Sequence, residues 1–260
     1  MATILCFLFF LFSSAIACKQ CVYQSKATSF SSSASLSSGA CGYGSLAPGF
    51  NGGHLAAGVA SLFRDGVGCG GCFQIRCKNQ TLCSSGGTKV ILTDLNKDNQ
   101  TSFVLTGSAF AALAKGGLAD DIVKLGIVDV EYKRIPCDYG NQNLSVRVEE
   151  TSQKPQYLAI DLLFQGGQTD IFQVKVAQVG TSDWTPLSRN KGAVWDTSRV
   201  PAGALQFQFL VVEGFYGKWV LAPTVLPADW KAGVIYDAGV QITDVAEQNC
   251  SDCGEGEVWQ

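Results

Sequence analysis

A chain of 260 residues with 47% apolar and only 16% charged side chains can fill one large or two medium cores, which excludes a disordered chain. A net charge of −3 argues against nucleic acid or an anionic membrane as the main partner. The single histidine, His54, excludes a multi-histidine metal site, and no Gly-rich phosphate loop follows a strand.

Residues 1–17 read as a signal peptide. Ile4 to Phe12 is an unbroken apolar run, too short to span a bilayer, and the small-residue site Ala15-Ile16-Ala17 follows it. No Lys or Arg precedes the run. Cleavage there removes Cys6 from the eleven cysteines and leaves ten, an even number suited to disulfides. Sequons at Asn79, Asn99, Asn143 and Asn249 agree with export and mark N-glycosylation sites. The expected location is extracellular.

Residues 18–140 read as a glycine-rich first domain, since nine of the eleven cysteines lie at or before Cys137. Its predicted pieces are a helix at 54–63, strands at 71–76 and 88–92, a short helix at 108–114 and a strand at 128–133. Residues 141–245 alternate apolar and polar side chains at 144–148, 157–164, 171–179, 205–212, 218–222 and 234–242. Six such strands, parted by Gly- and Pro-bearing turns, predict a β-sandwich. The join at 137–143 is short and polar, so the two domains should touch. The tail, 246–260, carries Cys250 and Cys253, which with Cys18 and Cys21 make a Cys-x-x-Cys pair at each end. Such pairs can hold zinc, but in a secreted chain extra disulfides are the better reading, and no metal is assigned.

Carboxylate chemistry is the remaining catalytic option. Asp94 follows an apolar strand, a place where side chains line clefts, but glycoside hydrolysis needs a second carboxyl group. Sugar binding works by other means, stacking C–H faces on aromatic rings. Tyr157, Trp184, Trp195, Tyr216, Trp219 and Trp230 are the candidates, and most strand aromatics belong to a core.

At this level the chain resembles the expansins, within them the plant expansin-like A group. The resemblance rests on Ala27-Thr28, Gly39-Ala40-Cys41-Gly42-Tyr43-Gly44, Cys69-Gly70-Gly71-Cys72-Phe73-Gln74-Ile75-Arg76-Cys77, Thr93-Asp94-Leu95-Asn96 and Gly126-Ile127-Val128-Asp129-Val130-Glu131-Tyr132. In the second half Tyr157-Leu158-Ala159 and Lys191-Gly192-Ala193-Val194-Trp195 extend it. It implies a mainly all-β protein: a six-stranded double-psi β-barrel, similar to that of family 45 endoglucanases, packed against an immunoglobulin-like β-sandwich that binds carbohydrate. It also implies the disulfides Cys41–Cys69, Cys72–Cys137 and Cys77–Cys83.

The departures from the family pattern bear on activity. Typical expansins carry His-Phe-Asp where this chain has Ser102-Phe103-Val104, so the counterpart of the hydrolase's acid is missing. Thr28 and Asp94 match the remaining polysaccharide-groove residues. In the sandwich Tyr157 and Trp195 fall on the carbohydrate-binding pattern, and Lys191 stands where the family has a tryptophan. Lys191 would favour acidic polymers such as pectin. The expected function is a secreted, monomeric cell-wall protein that binds cellulose, hemicellulose or pectin and loosens the wall without hydrolysis, with no cofactor and no enzyme activity. The alternatives are a weak endoglucanase using Asp94, and a wall glycan-binding protein that loosens nothing.

Overall fold

The computed structural model describes residues 21–30, 39–213 and 216–246. The signal-peptide reading, Cys18, Cys250, Cys253 and Asn249 lie outside them. Six strands close a barrel in the order β1-β5-β2-β4-β3-β6, with β6 returning to β1. They are β1 (Tyr23–Ser29), β2 (Leu55–Gly58), β3 (Cys72–Cys77), β4 (Thr88–Leu95), β5 (Phe103–Leu105) and β6 (Ile127–Ile135). Period-two alternation sends Ala27, Phe73, Ile75, Val90, Leu92, Phe103, Leu105 and Val130 inward to one core. Three short helices cover the barrel: α1 (Ala60–Phe63), α2 (Gly107–Ala111) and α3 (Ala119–Leu125). Cys41–Cys69, Cys72–Cys137 and Cys77–Cys83 are bonded.

The helix predicted over 54–63 is corrected. Leu55–Gly58 is a strand between β4 and β5, and only Ala60–Phe63 is helical. Leu-Ala-Ala-Gly favours a helix locally, but its small side chains also fit a fully buried barrel strand, and tertiary pairing decides.

The second half is an eight-stranded sheet folded over its own core. Its strands are β7 (Ser145–Val148), β8 (Leu158–Leu163), β9 (Asp170–Gln178), β10 (Thr185–Lys191), β11 (Val194–Thr197), β12 (Leu205–Glu213), β13 (Tyr216–Leu226) and β14 (Ile235–Asp237), in the order β13-β12-β9-β10-β11-β8-β7-β14. Strand β10 belongs to both leaves. Thr185, Pro186 and Leu187 pair with β9, while Ser188, Arg189 and Lys191 pair with β11 through an irregular register. Ile160, Val174, Trp195, Phe207, Phe209 and Trp230 are among the side chains enclosed between the leaves.

A third apolar cluster joins the halves. Tyr43, Phe50, Ile91 and the Cys72–Cys137 staple from the first half meet Leu163 and Ala193 from the second. Around it Asp170 accepts from Arg64 (2.6 and 3.0 Å) and Arg134 (2.8 Å), and Arg189 donates to the Gly66 carbonyl at 3.2 Å. The halves form one packed body.

Candidate glycan-binding face

Register places the groove residues. Thr28 pairs with Val104, Val104 with Ala57, and Ala57 with Asp94, so the four stand in one row across β1, β5, β2 and β4. At about 4.8 Å per strand, the row runs on the order of 14 Å along the outside of the barrel. Phe103 and Leu105 point inward, which turns Val104 outward between the two polar ends.

Asp94 reaches the outer face through a bulge. By strict alternation it would follow Val90 and Leu92 into the barrel. The register between β2 and β4 instead slips after Ala56–Leu92, so that Ala57 pairs with Asp94 and Thr93 is the extra residue. Bulges of this kind re-aim side chains at functional sites. The carboxylate is then fixed: Oδ1 accepts from the Ala40 amide at 2.6 Å and from its neighbour Leu95 at 2.8 Å. Thr28 donates its hydroxyl to the Gly126 carbonyl at 2.7 Å. The row therefore offers one carboxylate, one engaged hydroxyl and the partly exposed Val104, with Ala57 buried between Val104 and Asp94.

The Ala40 contact carries the face across to the sandwich. Ala193 donates its amide to the Cys41 carbonyl at 2.9 Å. Gly192, at φ +56, lies so close that a Cβ there would sit 2.4 Å from Cys41 Cα and 2.5 Å from the Ala40 carbonyl. Only glycine permits this approach. It sets the β10–β11 hairpin beside the groove and holds Lys191 exposed at the seam. Next along the face, Tyr157 donates to Asp196 Oδ2 at 2.7 Å, and Asn190 donates to the same oxygen. Burial, with the Asp196 hydrogen bond second, raises the Tyr157 phenol above its ordinary range, so it stays a neutral donor. Thr28 and Asp94 thus share the strand row, Lys191 lies in the hairpin that the seam sets beside it, and Tyr157 is tied to that hairpin through Asp196 and Asn190.

Trp195 is not. It is 4% exposed, inside the sandwich, with the Arg189 guanidinium 4.2 Å from its ring centre. A ring so covered has no face for a sugar. In β11, Val194 packs towards Gly42 and Asp196 faces Tyr157, so alternation drives Trp195 into the core. The sequence motif identified the strand but not the side of it. The sequons at Asn79 and Asn99 are exposed and Asn143 is half-buried. Cys21 is buried and disulfide-bonded. Among the described residues no cluster of three His, Cys, Asp or Glu side chains is placed to hold a metal ion.

With this geometry in hand, comparison with known proteins is decisive. Residues 144–227 match the expansin C-terminal domain, and residues 55–132 match the double-psi barrel family described as lytic transglycolase. Expansin-like A2 of Arabidopsis thaliana is 58% identical over 95% of this chain and 94% of its own, and expansin-like A1 of the same plant is 56% identical over 96% of each. The chain belongs to the expansin family. Within it, it is an expansin-like A protein, and its barrel plus folded sheet match a solved member. The apo crystal structure of the Clavibacter michiganensis expansin superimposes with a TM-score of 0.64, covering 85% of this chain and 97% of the other. At 21% identity that likeness concerns the fold. A mutant of the same bacterial expansin has been solved in complex with cellohexaose.

Proposed function

We propose that this expansin-like protein is exported to the plant cell wall, binds wall polysaccharide along the face shared by barrel and sandwich, and loosens the wall without cleaving a bond. The observation that carries this reading is the continuity of the face, from Thr28 and Asp94 over the Ala40–Gly192 seam to Lys191 and Tyr157. A glycan lying along it would meet donors and acceptors from two domains held in fixed register. Binding energy of this kind competes with hydrogen bonds between neighbouring wall chains.

Cleavage has no comparable support. Two-carboxylate hydrolysis needs an acid within roughly 5–9.5 Å of its partner. In the strand row the place between Thr28 and Ala57 is taken by Val104, an aliphatic side chain that carries no proton to the leaving oxygen. Asp94 alone can bind a hydroxyl and orient a ring. Export is supported by three disulfides and by exposed sequons at Asn79 and Asn99. The cellohexaose complex of the bacterial relative supports a glycan as the ligand class.

The test is extension of heat-inactivated plant wall under constant load, with reducing ends counted in the same bath. Creep above the protein-free control without new reducing ends is the expected result. Release of reducing ends that disappears in Asp94→Asn would instead establish a hydrolase. Wall binding by folded protein without creep would leave glycan binding as its whole activity.

A further inference from the structure

The exposed rings of the sandwich lie on the leaf opposite the face just described. Phe172 is 67% exposed, Trp219 41% and Leu221 47%. Alternation, interrupted in β9 where Phe172 is the extra residue of a register slip, puts them together: Ile171, Val174, Phe207, Phe209, Val211 and Ala222 point into the core, while Lys175, Gln208, Leu210, Trp219 and Leu221 point out and Phe172 is exposed beside them. Trp219 pairs with Leu210, and Leu210 with Gln173 beside Phe172. The two rings stand two strand spacings apart, about 10 Å. Asp196 and Val194 project from the other leaf, across the core.

One charge marks this face. Lys175 Nζ lies 4.3 Å from the Trp219 ring centre. It has no carboxylate partner among the described residues, unlike Lys218, which pairs with Asp244 at 2.6 Å. An ammonium resting on an indole is held weakly enough to be taken over by a carboxylate, which binds it as a charge-assisted pair. The amides of Gln173 and Gln208 flank the pair on the same face. Indole, adjoining cation and flanking amides suit a sugar ring that bears a carboxylate.

We propose that the outer face of β9, β12 and β13 is a second polysaccharide site, specific for uronate-bearing chains. A pyranose stacks on Trp219, its carboxylate draws Lys175 from the ring, and Phe172 receives a residue further along. The protein would then hold an acidic chain on one leaf and another glycan on the opposite face, as a cross-bridge. This site is independent of the groove reading.

The experiment uses the full secreted protein, ¹⁵N-labelled, titrated with oligogalacturonate and separately with its methyl ester. The indole N–H signal of Trp219 is identified by its absence from Trp219→Phe. It should shift with the free acid, and the shift should persist in Asp94→Asn and Lys191→Ala, so failure of the groove site and of this one are distinguishable. Trp219→Ala should weaken retention on immobilised polygalacturonate about 2- to 10-fold, the size of one aromatic contact. Lys175→Gln should bind the acid no better than the ester. No movement of the Trp219 signal, or unchanged retention by both variants with wild-type unfolding midpoints, would overturn the proposal. A concentration-dependent dimer abolished by Trp219→Ala would also overturn it, by giving the face to a second copy of the chain.

Discussion

The barrel and the sandwich are both small β-structures with buried phenylalanines, yet they are held in different ways. The barrel's segments are tied by three disulfides, Cys41–Cys69, Cys72–Cys137 and Cys77–Cys83. The sandwich has no cysteine between Cys137 and Cys250 and depends on a large continuous core, with Phe207 and Phe209 stacked 6.2 Å apart. In the barrel each staple fastens a segment outside the strands: Cys41 and Cys69 lie between strands, Cys83 follows β3 and Cys137 follows β6. The sandwich core runs through both leaves, and no staple joins its described residues.

The comparison is sharpened most by removing each device in turn. Cys72–Cys137 spans a sequence separation of 65, for which loop closure gives about 4 kcal/mol. Cys72→Ser with Cys137→Ser should cost about that much, and full reduction of the wild type, which opens the other bonds as well, should cost more. Phe207→Ala, at a fully buried side chain, should cost about 3–5 kcal/mol through the cavity it leaves. Its loss should persist under reduction. Four of the five tryptophans, Trp184, Trp195, Trp219 and Trp230, lie in the sandwich and none in the barrel, so fluorescence reports mainly on the sandwich while far-ultraviolet circular dichroism follows both halves. Equal sensitivity of the two variants to reductant, in urea titrations read by both signals, would dissolve the distinction.

The same contrast explains what could be read in the sequence. Long alternating runs gave β8, β9 and β12 nearly to their ends, because half-buried strands carry their own period. The barrel's β1 and β5 and the β10–β11 hairpin were not delineated. β5 has three residues, β1 buries only Ala27 of its seven, and a hairpin spelled Ser-Arg-Asn-Lys-Gly-Ala-Val has no period to detect. In the site, Thr28 and Asp94 could be matched by motif, but the bulge at Thr93 that turns Asp94 outward depends on pairing with β2. Trp195 shows the reverse error, a motif residue whose burial only the strand's parity fixes. Residues that two distant segments position jointly are invisible to patterns within either.

The next device to break is the seam. Gly192→Ala places a methyl group 2.4 Å from Cys41 Cα and strains a φ of +56, for a cost of about 1–3 kcal/mol. It alters neither core. Its expected signature is separation of the fluorescence and dichroism transitions, together with weaker glycan binding. A single coincident transition with undiminished binding would show that the face does not need the two halves held in register.

A smaller effect is expected at the ion pairs beside the seam. Burial pulls the Asp170 carboxyl upward, but hydrogen bonds and charge from Arg64 and Arg134 outweigh it and leave it below the ordinary range. Its stabilisation is therefore present above the unfolded value, about pH 4, and is lost as pH falls through the lowered folded one. Asp170→Asn should cost about 1–2 kcal/mol at pH 7, discounted for partial exposure, and the cost should shrink as pH falls below the ordinary carboxylate range. A constant difference between the two proteins from pH 7 to pH 2 would mean that packing, and not charge, holds this edge.

The smallest change at acid pH is predicted for the one fully buried acid among the described residues, and there the sign is opposite. Asp161 lies under Gly42 on the barrel-facing side of β8, and its Oδ1 has no hydrogen-bond partner. Burial first, then the hydrogen bond and charge of Glu149, raise its carboxyl to about 9, against the pull of Arg147 at 3.4 Å. A raised folded value means that stability is complete below the unfolded value and declines as pH climbs from about 4 towards about 9. Asp161→Asn keeps the shape and removes the proton. At pH 4 it should change stability by no more than about 1 kcal/mol, and between pH 4 and 9 it should flatten the decline seen in the wild type. Urea midpoints across that range decide the matter. If the variant is instead least stable relative to wild type at pH 8, Asp161 is ionised and paired with Arg147, and this edge of the sandwich depends on charge as Asp170 does.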